Sequence, residues 1–340
     1  MFPPHSEDQA AIVGLMKLLK QPASQTVRSE SMTWLVPGNS LPIWSRRLRH
    51  NLEGRQRHQS GTRWRDYDVE IEDRLWSIWG GLHPRAPWFD SKVRGRQSLG
   101  CYVVACCAAS IFRRLGDWTS KLLDAIVVNG DKYYRASVES SQRWDQNLSL
   151  DDMCVQCDFQ DIRFLVQMEL VAFGHVYSAP ASASMSLLEA LSFFFTRFQW
   201  GILECQERRF AFGFSSSHDG GYFLYDCSEW DKPIFPDDMG ASYVLRARQL
   251  LVLLYCMVVT LNVRCKKVGF RLYNVDMVRV PSRLPSNRKM LQACQSQSPS
   301  PSQHATRAGS GRAPLCQFGR AANELERIWS CCVQHWRPLY

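Results

Sequence analysis

A short polar turn, RGRQSLG at residues 94–100, opens directly onto the apolar run CYVVACCAASIF. This change in composition predicts a helix that begins near Ser98 and runs to about Leu115. The N-terminus of a helix stabilises a developing negative charge, and several kinds of hydrolase place their nucleophile there. Ser98 is therefore a candidate nucleophile, with a helix-capping serine as the alternative interpretation.

A hydrolase of this kind also needs an imidazole base, a group that orients the base and donors for an oxyanion. Further along the chain, RRFAFGFS and GGYFLYDCS predict two strands of a hairpin, joined by SSHDGG with Asp-Gly at the turn. The second strand ends in YDCSEW, which puts the carboxyl group of Asp226 at a strand end. The sequence thus predicts a helix N-terminus and a strand-borne carboxylate on one scaffold.

Six segments occur in the order seen in the herpesvirus tegument-type deubiquitinating cysteine peptidases and their animal and viral relatives, and the chain resembles that family over about residues 73–260. The segments are RLWSIWGGLHPRAPWF, RGRQSLGCYVVACCAAS, DWTSKLLDAIVVNGDKYYRAS, SLLEALSFFF, RRFAFGFSSSHDGGYFLYDCSEWDKP and MGASYVLRARQLLVLLY. The resemblance implies an α+β, papain-like cysteine peptidase fold, in which the helix at the nucleophile position packs against an antiparallel sheet. It also implies ubiquitin or a ubiquitin-like protein as the partner.

The resemblance assigns the nucleophile position to Ser98 and the orienting carboxylate to Asp226. Ser228 stands where the family has its histidine base, and Pro84 stands where it has the glutamine of the oxyanion site. A serine hydroxyl needs a base even more than a thiol does, and Ser228 cannot accept a proton near neutral pH. Pro84 has no side-chain donor, and the loss of one oxyanion donor costs about 3 kcal/mol of transition-state stabilisation. These positions predict a pseudoenzyme that binds its partner non-covalently.

Aromatic and acidic side chains beside these positions are candidates for binding. Trp79 and Trp88 would line the rim of a retained groove, although seating the preceding loop on the helix is the simpler role for them. Glu229 and Asp231 would meet the arginines of a ubiquitin tail, which can also pair through its backbone.

The first alternative is an active thiol hydrolase with a rearranged centre that uses Cys101 and His83. Cys101 lies one turn into the predicted helix, where a core position is the simpler interpretation. Alternation along the strand is expected to point Cys227 away from Asp226. His218 falls in the predicted hairpin turn and is expected to be a solvated residue.

The second alternative is a structural or interaction protein that acts through a basic arm. The net charge of the 340-residue chain is +9, and seven arginines fall within residues 46–65. This stretch predicts a solvated arm, with weak nucleic-acid contact as a possible use. A hydrophobic fraction of 45% is enough for a large core.

The thirteen cysteines and the absence of a signal-peptide pattern predict reduced thiols and an intracellular protein. The two longest apolar runs, residues 99–112 and 250–263, have 14 residues each. A membrane span needs about 20, so no membrane contact is predicted. No cofactor or metal is predicted, because the C-x-x-C pair of Cys154 and Cys157 and the distant CCVQH are weak zinc signals.

Composition divides the chain into four parts. Residues 1–72 are predicted to be a basic, partly disordered extension, residues 73–280 the peptidase-like domain, residues 281–314 a Ser/Pro/Gln-rich disordered linker and residues 315–340 a short C-terminal helix. Inside the domain, the patterns predict a helix over 118–129 that Gly130 caps, a strand at DIRFLVQMEL, a helix over 185–198 and a long helix at SYVLRARQLLVLLYCMVVTL.

Overall fold

One large sheet runs through the chain in the computed structural model, which describes Trp44 and residues 63–141, 148–177, 185–227, 241–261 and 268–281. All of these residues belong to the unit Met1–Ser282. Ser228, Glu229 and Asp231 lie outside the described residues, as do nearly all of the predicted linker and the whole of the predicted C-terminal helix. The described part of the chain has an α+β fold, as predicted.

The sheet has the order β1-β2-β3-β10-β9-β8-β7-β11-β5-β4, and β6 adds to β5. Every neighbouring pair in it is antiparallel except β5 with β6. The strands are β1 Arg63–Trp64, β2 Tyr67–Ile71, β3 Leu75–Trp79, β4 Gln156–Phe159, β5 Ile162–His175, β6 Met185–Ser186, β7 Trp200–Cys205, β8 Arg208–Ser215, β9 Gly221–Asp226, β10 Tyr243–Ala247 and β11 Gly269–Val280. The helices of the described residues are α1 Ser98–Ile111, α2 Ser120–Ser141, α3 Leu187–Phe195 and α4 Leu250–Leu261.

Helix α1 lies between α2 and the sheet strands β7, β8 and β9. Every residue from Leu99 to Ala109 is buried, because the helix is apolar on all its faces and has neighbours all round. The prediction that the helix beginning at Ser98 packs against an antiparallel sheet is confirmed. The helix ends at Ile111, before the predicted Leu115.

Helix α2 does not end at Gly130, so the prediction of a C-cap there is wrong. The helix continues to Ser141, and Gly130 faces the first turn of α1. A Cβ atom on Gly130 would lie 2.6 Å from the Cα atom of Cys101, so only glycine allows the two backbones to approach this closely. The glycine therefore sets the contact between the helices.

Several predictions of individual elements fail where segments are buried on both faces. The predicted long helix over residues 242–261 is strand β10 followed by α4, because a continuous apolar run does not distinguish a buried strand from a buried helix. The sheet also begins before residue 73, with β1 and β2, and Trp44 is buried against Tyr255. The predicted strand at DIRFLVQMEL and the β8–β9 hairpin are confirmed.

Helix α3 begins with a capping box formed by Ser186 and Glu189. The Ser186 side chain accepts a hydrogen bond from the Glu189 amide, and the Glu189 carboxylate accepts one from the Ser186 amide. None of the described helices is both long enough and apolar enough to span a membrane.

Replacing Gly130 with alanine tests the helix contact. Helix propensity alone favours alanine by about 1 kcal/mol. The overlap with Cys101 outweighs this gain, and we expect the free energy of unfolding in urea to fall by about 1–3 kcal/mol. Gly269→Ala is the control, because the atom nearest to its added Cβ is the Gly174 carbonyl oxygen at 3.6 Å. A Gly130→Ala protein as stable as the wild type would contradict the close approach.

Candidate functional site

Ser98 is the first residue of α1 and is half-buried. Gln97 occupies the capping position, so the interpretation of Ser98 as a helix cap is wrong. Within the described part of the chain, the Ser98 hydroxyl has no hydrogen-bond partner. A hydroxyl group therefore stands at the helix N-terminus where the resemblance places a nucleophile.

The end of strand β9 meets the start of α1. The Cys227 Sγ atom lies 4.0 Å from the Ser98 carbonyl oxygen, within contact distance of the first helical turn. Asp226, the preceding residue, reaches the next turn of the same helix through Tyr102. The fold thus brings the two sequence-predicted positions, 98 and 226, to one place.

Asp226 is fully buried, with 0% of its surface exposed. The Tyr102 hydroxyl of α1 donates to its Oδ1 atom, and the Tyr243 hydroxyl of β10 donates to its Oδ2 atom, each at 3.2 Å. Burial, and then the nearby Asp226 charge, raise the pKa of Tyr243 well above its ordinary value, so this hydroxyl stays protonated and can donate. The carboxyl group joins α1, β9 and β10.

Pro84 lies against the turn that precedes Ser98. Its carbonyl oxygen accepts hydrogen bonds from the Gly95 amide at 3.0 Å and from the Gln97 Nε2 atom at 2.9 Å. Gln97 is buried, and its side chain fixes the distance between the loop and the helix start. Sequence reasoning missed this role of Gln97, although the residue is part of the GRQS segment.

Asp124 of α2 binds the beginning of the loop that connects β3 to α1. Its Oδ1 atom accepts hydrogen bonds from the amides of Gly81 at 2.6 Å and Leu82 at 2.8 Å. The acidic residue in WTSKLLDAIVV was available as a signal, but its partner lies 43 residues earlier in the chain. Pattern reading alone does not connect the two.

The described residues include three histidines, and their positions differ widely. His83 is buried in the loop before α1, where its Nδ1 atom accepts from the Arg85 amide at 3.2 Å. His218 lies in the β8–β9 turn, at the opposite end of β9 from Asp226, and its side chain is 92% exposed, as predicted for a solvated turn residue. His175 lies on β5, four strands from β9 in the sheet.

The thiols near Ser98 are buried among packed elements. Cys101 is fully buried, and its Sγ atom approaches the Val127 carbonyl oxygen of α2 at 3.8 Å. Burial, together with a hydrogen bond to Cys101, raises the pKa of Cys227 well above its ordinary value. A nucleophile must form a thiolate, so Cys227 cannot replace the missing group. The fully buried Cys101 thiol contacts both α2 and Cys227, and this burial disfavours the rearranged centre.

The two tryptophans predicted at a groove rim have different environments. Trp79 is only 4% exposed, and its ring centroid lies 4.8 Å from that of Tyr243. The rim position is therefore wrong for Trp79, because strand β3 is covered on both faces. Trp88 is 66% exposed in the loop before α1.

The cysteine pair with zinc-like spacing does not form part of a metal cluster in the described residues, where no group of three suitable side chains occurs. Cys157 is buried on β4, and the Cys154 thiol lies 3.0 Å from the Ser140 hydroxyl. The cysteines and histidine of the CCVQH segment lie outside the described residues. None of the described cysteines forms a disulfide.

Only two arginines of the basic stretch fall within the described residues. Arg65 forms ion pairs with Asp117 and Asp219, and Arg63 lies 3.8 Å from Asp68. These two side chains therefore pair with carboxylates of the same domain.

The fold of the described residues is similar to that of one solved viral protease. The crystal structure of the ubiquitin-specific protease encoded by murine cytomegalovirus tegument protein M48, in complex with a ubiquitin-based suicide substrate, matches with a TM-score of 0.50. The match covers 65% of this chain and 94% of the protease chain, at 11% sequence identity. No family model and no curated protein matches the chain. The likeness shows a distant deubiquitinase-like fold.

Tyr102→Phe removes one donor from the buried Asp226 carboxyl group. We expect the free energy of unfolding to fall by about 1.5–3 kcal/mol, because a buried charged acceptor loses a partner. Tyr222→Phe is the control, since in the described part of the chain the Tyr222 hydroxyl has no hydrogen-bond partner. Equal stability of the two variants would show that the carboxyl group does not depend on Tyr102.

His83 should make stability depend on pH. Burial, and then the Arg85 cation, lower the pKa of His83 below 6.5. Its contribution to stability is present above the unfolded pKa and is lost as pH falls toward the folded pKa, since the unfolded chain binds the proton more tightly. Urea unfolding at about pH 7.5 and about pH 5.5 should therefore show a larger loss for the wild type than for His83→Asn.

In His83→Asn, the amide oxygen can still accept the Arg85 N–H bond but does not titrate. His218→Asn, which replaces an exposed imidazole, is the control variant. A wild-type loss equal to that of His83→Asn would exclude His83 as the titrating group.

Proposed function

We propose that this chain contains a papain-like, deubiquitinase-type domain that has lost peptidase chemistry and binds ubiquitin or a ubiquitin-like protein non-covalently. The observation that carries the proposal is the meeting of Ser98 with the end of β9, beside a carboxyl group already bound by two tyrosines. A fold shared with a ubiquitin-specific protease supports the class of partner.

The chemistry at this place supports inactivity. Ser98 offers a hydroxyl that needs a base, and no described imidazole contacts it. We propose that Ser228, two residues after Asp226, occupies the position of the base and Pro84 that of the oxyanion donor. Without a proton acceptor and with one oxyanion donor fewer, the reaction has neither an activated nucleophile nor full charge stabilisation.

Non-covalent binding of a peptide needs neither a nucleophile nor a base. An extended peptide can pair through its backbone with a strand edge, and acidic side chains can meet its basic residues. We propose that Glu229 and Asp231, which follow the end of β9 in the sequence, take this role toward a basic tail. The free thiols of the described residues support an intracellular setting in which cysteines stay reduced.

Titration of isotope-labelled ubiquitin with the full chain tests the binding. We expect chemical-shift changes that saturate, and a complex that separates again on dilution. The absence of any shift change at about millimolar protein, where even weak complexes form, would contradict the proposed function.

A ubiquitin probe with a C-terminal electrophile tests the loss of chemistry in the same protein. We expect no covalent labelling of the wild type. Labelling that disappears in Cys101→Ala would instead establish the rearranged active centre.

A triple variant tests the assignment of the three positions. Ser98→Cys, Pro84→Gln and Ser228→His together supply the thiol, the amide and the imidazole of the family. The triple variant should gain labelling that Ser98→Cys alone does not show. If the triple variant stays unlabelled, the assignment of these positions is wrong even where ubiquitin binds.

A further inference from the structure

Residues 83–97 form most of the loop between β3 and α1, and we call this segment the Trp88 loop. It carries a large aromatic side chain on its outside. Trp88 is 66% exposed, whereas its neighbour Phe89 is buried. The two rings meet edge to face, with 4.9 Å between their centroids. The buried Phe89 ring therefore orients the exposed Trp88 ring.

Hydrogen bonds fix the backbone on both sides of Trp88. The Arg94 guanidinium donates to the Pro87 carbonyl oxygen at 3.1 Å and to the Phe89 carbonyl oxygen at 2.7 Å. The Val93 and Arg94 amides donate to the Asp90 carbonyl oxygen. The loop is thus ordered before any partner arrives, and ordering is a large part of what binding costs.

The exposed surface of the Trp88 loop is mainly cationic. Arg85, Lys92, Arg94 and Arg96 are exposed, and Asp90 is its one carboxylate. The Asp90 carboxylate already accepts from the Lys92 amide and lies 3.8 Å from Arg135 of α2. An exposed tryptophan on a mainly cationic loop fits an apolar patch that carboxylates surround.

We propose that the Trp88 loop is the docking surface for the folded body of the partner, and that this body presents an apolar patch rimmed by carboxylates. The inference rests on the proposed function, because the loop ends directly at Ser98 and its Gln97 side chain donates to the Pro84 carbonyl oxygen. It assigns the folded body to Trp88 and leaves the basic tail to the acidic residues after β9. Like charges keep the tail away from this loop.

Titration of labelled ubiquitin with full-chain variants tests the inference. Trp88→Ala should weaken binding by at least about 30-fold, the effect of removing an anchoring tryptophan. Lys92→Glu should weaken binding by about 3-fold at low salt and less at high salt, because salt screens an exposed charge. Phe173→Ala on β5, which removes an aromatic side chain that is 67% exposed, is the matched control and should leave the affinity within about 2-fold of the wild type.

The outcomes separate the two proposals. If wild-type protein binds ubiquitin but Trp88→Ala binds equally well, the docking surface is wrong and the proposed function stands. Shift changes confined to the ubiquitin tail would also overturn it. If Trp88→Ala instead abolishes self-association of the chain in sedimentation, the occupant is a second copy and the inference fails. If the wild type does not bind ubiquitin at all, the proposed function fails and this inference fails with it.

Discussion

The buried carboxyl group of Asp226 organises the centre of this fold. A charge inside a protein is costly unless hydrogen bonds satisfy it, and here the partners come from two different elements, Tyr102 on α1 and Tyr243 on β10. The helix start, the strand end and the neighbouring strand are consequently held in one arrangement. These two hydrogen bonds therefore help to fix the geometry of the site.

The same arrangement bears on the proposed loss of the base at residue 228. In a triad, an aspartate binds the imidazole, and loss of the imidazole leaves the carboxylate without that partner. In this chain, both oxygens of Asp226 have hydroxyl donors from the fold itself. Asp226 thus has hydrogen-bond donors whatever residue stands at position 228, so the loss of chemistry that we propose is compatible with an intact fold.

Sequence patterns predicted the start of α1 and the β8–β9 hairpin better than the elements around them. The polar-to-apolar change at Ser98 located the helix start to the residue, and the Asp-Gly turn located the β8–β9 hairpin. The patterns failed where burial on both faces removes periodicity, as in β10, which was predicted to be part of a helix. They also misread Gly130 as a helix end, since a glycine that stops a helix and one that admits a neighbour look the same in sequence. The contacts of Tyr102, Gln97 and Asp124 join distant parts of the chain and become visible only in three dimensions.

Helix α2 supports the loop before α1 at two separate points. Asp124 binds the amides at its beginning, and Arg135 lies 3.8 Å from Asp90 in its middle. These two residues are about three helical turns apart, roughly 16 Å along the axis. The helix therefore holds these two points of the loop at a constant separation. Because both contacts belong to one helix, a shift of α2 along its axis would move the beginning and the middle of the loop together.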